Sequence, residues 1–175
     1  MLDANLHIRK MTLQDKKLIL GLGRTIFREE DEIPLLQKAL RQCNLELSFV
    51  VVDAQVIAGF ILVCEELTEY YFKFMRSLPS CYEIAFLGIS KDYQGRGLGS
   101  TLMKEAIQSI VQRCQIYACW LLVDTINTTA IRLYERLGFQ KWRKTDKGKT
   151  PVPGWIMGLR QHSYSLRSSA TITAP

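Results

Sequence analysis

The chain is short of the residues that several common enzyme chemistries need. It has only two histidines, His7 and His162, one near each end of its 175 residues. The sequence therefore does not favour a zinc site or a Ser-His-Asp triad, since both commonly use histidine. The five cysteines form no C-x-x-C pair, and Cys64 and Cys119 lie inside apolar runs, which predicts buried, reduced thiols rather than a metal or disulfide framework.

Long apolar runs and clustered positive charge are missing as well. No run approaches the roughly 18–20 apolar residues of a membrane-spanning helix. Residues 1–5 lack the basic and apolar regions of a secretory signal, so the expected location is the cytosol and no membrane partner is expected. The net charge is +6, but the lysines and arginines are scattered. That pattern argues against a nucleic-acid partner and suits an anionic small molecule.

The length and the globular composition predict a single domain, which we expect over residues 1–160, followed by a flexible Ser/Thr-rich tail over 161–175. Thr12 is the expected N-cap of the first helix. The order strand–helix–strand–helix over 83–137 predicts parallel neighbouring strands in an α/β layer. Hydrophobic patterning predicts strands at 6–11, 48–52, 56–64, 83–90, 116–123, 141–145 and 155–159, and helices at 13–27, 33–43, 97–114 and 128–137.

A glycine-rich segment, Gln94-Gly95-Arg96-Gly97-Leu98-Gly99, stands between a predicted strand and a predicted helix. Glycines let backbone N–H groups approach a bound group closely, and the helix N-terminus adds a positive dipole end. Together they favour an anion site, most naturally for a pyrophosphate, with Arg96 as an added charge. A plain glycine-rich turn is the alternative. A dinucleotide-binding G-x-G-x-x-G is not met, because Ser100 and Leu102 occupy the third glycine position in the two registers.

This segment resembles the Q/R-x-x-G-x-G/A signature of the GNAT N-acetyltransferase superfamily. Residues 127–139, from Asn127 to Phe139, resemble that family's second motif, N-x-x-A-x-x-x-Y-x-x-x-G-F. The motif resemblance covers 82–139, and the order of elements extends it over about 6–160. It implies a mixed α/β fold with a mostly antiparallel sheet of about seven strands, a parallel splayed pair in its middle and about four flanking helices. It also implies transfer of an acetyl group from acetyl-CoA to a primary amine by direct attack, without a metal.

Two catalytic candidates follow from the residues and the resemblance together. Glu83 precedes an apolar strand, and burial there would raise the pKa of its carboxyl toward that of a useful base. In histone-type members of the family a catalytic glutamate stands eleven residues before the motif glutamine, and Glu83 stands eleven before Gln94. The position of Tyr134 in this family usually faces the cofactor sulfur. The alternatives are a solvated glutamate at a strand end and a core tyrosine with its hydroxyl at the rim.

The resemblance also implies the cofactor contacts. The backbone of Leu87 and Ile89 would bind the pantetheine arm, and the Leu87 N–H would face the thioester carbonyl. Gly88, inside that strand, predicts a bulge or a close backbone approach. The other cofactor-binding candidates are Gln94, Gly95, Arg96, Gly97, Leu98, Gly99 and Asn127.

The sequence leaves open which acceptor is used and whether the chain is an active enzyme. A non-catalytic module that binds acyl-CoA as a sensor or scaffold is the alternative to an enzyme. Some protein N-terminal acetyltransferases of the family carry a catalytic histidine where this chain has Leu122. The acidic loop, residues 29–32, and Glu65, Glu66 and Glu69 could flank one mouth and steer cationic acceptors, or could simply be solvated. The acceptor, a small molecule or a peptide, and the oligomeric state, a homodimer included, are not fixed.

Overall fold

The computed structural model describes residues 6–65, 81–114, 118–146 and 153–160. The expected irregular segment 70–80, the expected tail 161–175, Glu66, Glu69 and His162 lie outside these residues. The strands are β1 (Leu6–Lys10), β2 (Phe49–Asp53), β3 (Val56–Cys64), β4 (Cys81–Ile89), β5 (Ala118–Asp124), β6 (Gln140–Thr145) and β7 (Gly154–Arg160). The helices are α1 (Asp15–Ile26), α2 (Glu32–Gln42), α3 (Leu98–Arg113) and α4 (Thr128–Arg136).

One seven-stranded sheet organises the chain, with strand order β1-β2-β3-β4-β5-β7-β6. The pair β4–β5 is parallel, and the other neighbouring pairs are antiparallel. A parallel pair needs a crossover connection, and α3 supplies it. The expected fold class is confirmed: a mixed, mostly antiparallel sheet of seven strands, a parallel pair in its middle and four helices.

Helices cover both faces of the sheet because strand residues alternate between two apolar clusters. On one face, α3 and α4 pack on β2–β5 and β7 through side chains such as Leu102, Ile107 and Ile131. On the other face, α1 and α2 pack on β2 and β3, with Ile19 and Leu36 fully buried against Phe60. Each such buried side chain stabilises the fold by about 1.5–3 kcal/mol relative to an exposed one. Of the two catalytic candidates, Glu83 lies in β4 of the sheet and Tyr134 lies in α4.

The start of α1 differs from the sequence expectation. Thr12 is not its N-cap, because Gln14 occupies that position. The Thr12 hydroxyl and N–H instead donate to the carboxylate of Asp15, at 2.8 and 2.7 Å. Arg9 pairs with the same carboxylate at 2.7 Å and holds the pKa of Asp15 at about 2. The buried carboxylate of Asp15 lies in the first turn of α1, where a negative charge interacts favourably with the helix dipole.

Candidate active site

A cleft opens where β4 and β5 separate. The two strands pair only at Cys81–Ala118, Tyr82–Cys119 and Glu83–Trp120, although β4 continues to Ile89 and β5 to Asp124. The strands therefore diverge in a V whose vertex is the Glu83–Trp120 pair. Past the vertex, each strand presents an edge that its former neighbour no longer covers. The splayed parallel pair expected from the resemblance has this geometry.

A bulge in β4 lies just past the vertex. Leu62 is opposite Phe86 and Val63 is opposite Ile84, which leaves Ala85 as an extra residue. Ala85 and Phe86 accordingly both pack on the α1–α2 side, where a regular strand would alternate. A bulge bends its strand and increases the local twist, which accounts for the departure of β4 from β5 at this point.

The bulge is therefore not at Gly88. Gly88 lies directly opposite Phe60 in the ladder. A Cβ at Gly88 would lie 2.9 Å from Cε1 of the Phe60 ring. The absence of a side chain at Gly88 makes room for the Phe60 ring. The group that approaches Gly88 closely is therefore an aromatic side chain and not another backbone segment.

The ladder register shows which backbone groups face the cleft. Ser90 donates its N–H to the Ala58 carbonyl at 2.8 Å, which directs Ser90 toward β3. Because direction alternates along an antiparallel strand, the N–H and C=O groups of Leu87 and Ile89 point the other way, into the cleft. The side chain of Gln94 donates to the Ile89 carbonyl at 3.1 Å. The two residues expected to bind a pantetheine arm thus present backbone groups to the opening.

The opposite wall of the cleft follows the same logic. Thr125 donates its N–H to Pro153 at 3.0 Å, so the backbone of Leu122 and Asp124 faces away from β7, toward the cleft. The side chain of Leu122 is half-buried and lies over Gly154, where a Cβ would be 2.7 Å from its Cδ1. Leu122 is therefore an aliphatic side chain at the position where some protein N-terminal acetyltransferases of the family carry a catalytic histidine.

The glycine-rich loop closes the wide end of the cleft. Gly95 and Gly97 have φ of 77° and 78°, and Gly97 is the N-cap of α3. A Cβ at either glycine would meet no protein atom within 4 Å, so open space lies in front of the loop. A Cβ at Gly99 would lie 3.6 Å from Leu133 and 3.8 Å from Leu87, which seats the loop between α4 and β4. The first N–H groups of α3 face this opening, as an anion site requires.

Arg96 is braced beside the loop. Its guanidinium lies 5.2 Å from the centre of the Tyr93 ring, and it donates to the Asp92 carbonyl at 3.2 Å. The Tyr93 hydroxyl in turn donates to Asp53 at 2.8 Å. Asp53 ends β2, so the β2–β3 hairpin supports the loop. This chain of contacts fixes a permanent positive charge near the helix N-terminus.

Glu83 lies in the interior and is only 4% exposed. Burial, and after it the negative charge of Glu83, raise the pKa of Cys81 to about 11 and raise that of Cys64 above its usual range. The carboxylate therefore lies close to these thiols inside the sheet. A solvated glutamate at a strand end does not describe this residue.

Tyr134 is on the other side of the sheet, on α4. It is 8% exposed, and its ring centre lies 6.0 Å from that of Phe139. Burial raises the pKa of the Tyr134 phenol to about 12. Within the described residues its hydroxyl makes no hydrogen bond. A buried, protonated phenol without a protein partner has a proton to donate to a bound group.

Asn127 acts first as a cap. Its Oδ1 accepts the N–H of Ala130 at 3.1 Å, which makes it the N-cap of α4. Asn127 and Tyr134 therefore mark the start and the later turns of one short helix. The helix ends at Arg136, one residue earlier than predicted; Leu137 is its C-cap, and Gly138 follows at φ 93°, as is common after a helix.

Of the second acidic cluster the structure describes only Glu65, and Glu65 does not lie at the same end of the cleft as the acidic loop. The acidic loop lies at the wide end of the cleft, because Arg28 reaches to 3.9 Å from Asp124 at the end of β5. Glu65 follows the end of β3 that pairs with Glu83, at the opposite end, and binds Arg113 at 3.0 Å. Within the acidic loop, Arg24 and Arg28 pair with Glu29 and Glu32 at 3.6 and 3.3 Å. Among the described residues, Glu65 therefore lies away from the acidic loop, and steering by the loop stays a prediction.

One residue at the vertex is absent from the sequence expectations. Trp120 pairs directly with Glu83, and its buried indole Nε1 has no hydrogen-bond partner. In the sequence it is one apolar residue in a hydrophobic strand, and nothing local distinguishes it from core.

Within the described residues there is no group of three or more His, Cys, Asp or Glu that could hold a metal ion, and no helix long and apolar enough to cross a membrane.

Comparisons with known proteins agree with this geometry. Among curated relatives, a mycothiol acetyltransferase of Pseudarthrobacter chlorophenolicus is 38% identical over 66 residues, or 38% of this chain, and the match spans only 20% of that relative. An N-alpha-acetyltransferase of Saccharolobus solfataricus is 24% identical over 137 residues, covering 77% of this chain and 80% of the relative.

A solved structure shares the fold. Arabidopsis thaliana NAA60 in complex with acetyl-CoA superposes with a TM-score of 0.70 at 20% identity, covering 89% of this chain and 99% of that one. The family model for the acetyltransferase (GNAT) family matches residues 19–139. That match contains both walls of the cleft, the glycine loop and α4. The chain belongs to the GNAT acetyltransferase family.

Proposed function

We propose that this chain is an acetyl-CoA-dependent N-acetyltransferase whose active site is the cleft between β4 and β5. The observation that carries the proposal is the separation of the two strands immediately after the buried Glu83. A carboxylate at the vertex, exposed strand edges along the walls and an anion-binding loop at the wide end suit one ligand that runs the length of the cleft.

The cofactor fits the residues present. The N–H groups around Gly97 and Leu98 and the charge of Arg96 would hold its pyrophosphate, in the open space in front of Gly95 and Gly97. The backbone of Leu87 and Ile89 would pair with the pantetheine arm as a neighbouring strand does. Acetyl-CoA would supply the activated acetyl group as a thioester.

Three groups of the protein would then share the chemistry. An amine with a reference pKa of about 10.4 is protonated at neutral pH, and Glu83 would accept its proton before attack. The Leu87 N–H would donate to the oxygen that becomes negative when the amine nitrogen bonds to the thioester carbon. Tyr134 would donate its proton to the sulfur as the carbon–sulfur bond breaks. A phenol with a pKa of about 12 stays protonated at neutral pH and can play that part.

An acyl-CoA sensor without turnover is the competing function. The buried Glu83 and the Tyr134 hydroxyl, which makes no hydrogen bond in the part of the chain that the structure describes, favour the enzyme, because a binding module has no need of either. The names of the relatives point to different acceptors, so they leave the amine undecided. All five cysteines are free, which suits a reducing compartment such as the cytosol.

Release of the CoA thiol in the presence of candidate amines tests the proposal. We expect release by the wild-type protein and a loss of about 10²–10⁴-fold in the Glu83→Gln variant. Glu65→Gln is the matched control, since Glu65 is half-exposed, lies outside the cleft and pairs with Arg113. Binding of acetyl-CoA without release by any amine would favour the sensor, and an unchanged rate in Glu83→Gln would remove the proposed base.

A further inference from the structure

The indole of Trp120 is a buried hydrogen-bond donor with nothing to donate to. Trp120 is 3% exposed, and its Nε1 is buried without a partner. An indole N–H can only donate, and buried polar groups in folded proteins are almost always satisfied. An exception of this kind needs an explanation, and its place beside Glu83 offers one.

Contacts with β7 and with Trp142 show how the indole ring of Trp120 is held. The six-membered ring of Trp120 lies over Gly158 of β7, where a Cβ would be 2.6 Å from Cε3. Nε1 belongs to the five-membered ring, so it lies on the edge of the indole remote from this contact with β7. The Trp142 ring packs edge-on against Trp120 with centres 5.4 Å apart and helps to fix the ring plane.

Glu83 and Trp120 present their side chains to the same face of the sheet. They are lateral neighbours in the parallel ladder, and the same face holds Cys81 and Ala118. A proton acceptor and a hydrogen-bond donor thus stand side by side at the vertex of the cleft. An amine that binds Glu83 would bring the atoms attached to its own carbon close to Trp120, the lateral neighbour of Glu83.

We propose that Trp120 determines acceptor specificity by donating its N–H to a carbonyl oxygen next to the acceptor amine. This inference rests on the proposed function and names its acceptor class: α-amino amides, which carry an amide carbonyl one carbon from the amine. A simple alkylamine or polyamine has no such oxygen and leaves the donor unpaired. A free α-carboxylate would bring a second negative charge beside Glu83, so the neutral amide is the better match.

The indole N–H itself is the most direct probe. The chain has three tryptophans, so a spectrum of protein labelled with ¹⁵N-tryptophan shows three indole signals, and Trp120→Phe identifies one of them. We expect alaninamide to move the Trp120 signal downfield, and sec-butylamine, which lacks the carbonyl, to leave it in place. The same response to both amines, or no response of Trp120 to alaninamide, overturns the proposal.

Kinetics supply an independent reading. The ratio of kcat/KM for alaninamide to that for sec-butylamine should fall about tenfold in Trp120→Phe, ~1.4 kcal/mol. It should stay unchanged in the matched control Trp142→Phe, which keeps the Trp120 N–H. Comparing this ratio between variant and wild type cancels the different basicities of the two amines, which are the same for both proteins. An equal ratio in wild type and Trp120→Phe would contradict the assignment.

If the proposed function is wrong, the thiol-release assay and the indole spectra give a different combination of results. If the chain were no acetyltransferase, acetyl-CoA would release no thiol with any amine, whatever the state of the indole. The spectra can be recorded without cofactor, so the response of Trp120 to alaninamide is tested even then. A response without turnover would keep the amide site and discard the enzyme.

Discussion

Replacing Tyr134 by phenylalanine should remove catalysis and leave the fold intact. The substitution deletes one hydroxyl, and within the described residues that hydroxyl bonds to nothing. The ring, packed 6.0 Å from Phe139, stays in place. Since no protein hydrogen bond is lost, the free energy of unfolding should change by less than about 1 kcal/mol.

The effect on the reaction should be much larger. A general acid contributes about 10²–10⁴-fold, so kcat should fall by that factor, equivalent to about 2.7–5.4 kcal/mol of transition-state stabilisation. Cofactor affinity, measured by the melting shift with acetyl-CoA, should stay nearly constant. Because burial holds the phenol's pKa at about 12, ionisation of Tyr134 should cause no loss of kcat below pH 10.

The assay is thiol release under conditions where the chemical step limits turnover. Tyr82→Phe is the control: Tyr82 is also buried, and its hydroxyl contacts the Cys114 sulfur at 3.1 Å, away from the cleft. That variant should keep its kcat and lose about 0.5–1.5 kcal/mol of stability. A Tyr134→Phe enzyme with wild-type kcat would refute the proton-donor role and leave Tyr134 a core residue.

Three further predictions concern the loop, the start of α1 and the acceptor. Saturating acetyl-CoA at about 100 times Kd should stabilise the wild type by about 2.7 kcal/mol, seen as a rise in Tm, and Gly97→Val should abolish that rise; a full rise in the variant contradicts the anion site. Asp15→Asn should lower the free energy of unfolding by about 1–2 kcal/mol, measured by denaturant titration at pH 7. In the wild type, the stability that ionised Asp15 contributes is present above its ordinary pKa of 3.8 and should disappear as the pH falls toward 2. A free energy of unfolding that stays constant over this pH range would argue against the contribution. Exchanging the glutamates of the acidic loop for glutamine should raise KM for a cationic amine and flatten its salt dependence; equal treatment of cationic and neutral amines would make the loop a solvated surface.

Sequence patterning predicted the frame of the site because that frame is local. A strand, a helix and a second strand in succession leave few arrangements, and the parallel β4–β5 pair followed. The glycine loop was visible because positive φ at Gly95 and Gly97 calls for glycine. Its position at the N-terminus of α3 likewise follows from chain order alone.

The remaining features depend on register and on tertiary neighbours. The bulge at Ala85 exists only relative to β3, so Gly88 was the more visible candidate and was wrong for the bulge. The separation of the acidic loop from Glu65 depends on which end of the sheet each reaches. The unpaired indole of Trp120 is a property of its surroundings, and a strand sequence does not contain it.

The central claim is acetyl transfer to an amine at the β4–β5 cleft, and product mass tests it most directly. Isotopically labelled acetyl-CoA is incubated with the protein, a panel of amines and a peptide library, and acceptors are sought by mass spectrometry. The account predicts a labelled acetyl group on at least one amine with wild-type protein and its loss with Glu83→Gln. The absence of labelled product from every amine, at acetyl-CoA concentrations that saturate the melting shift, would contradict it.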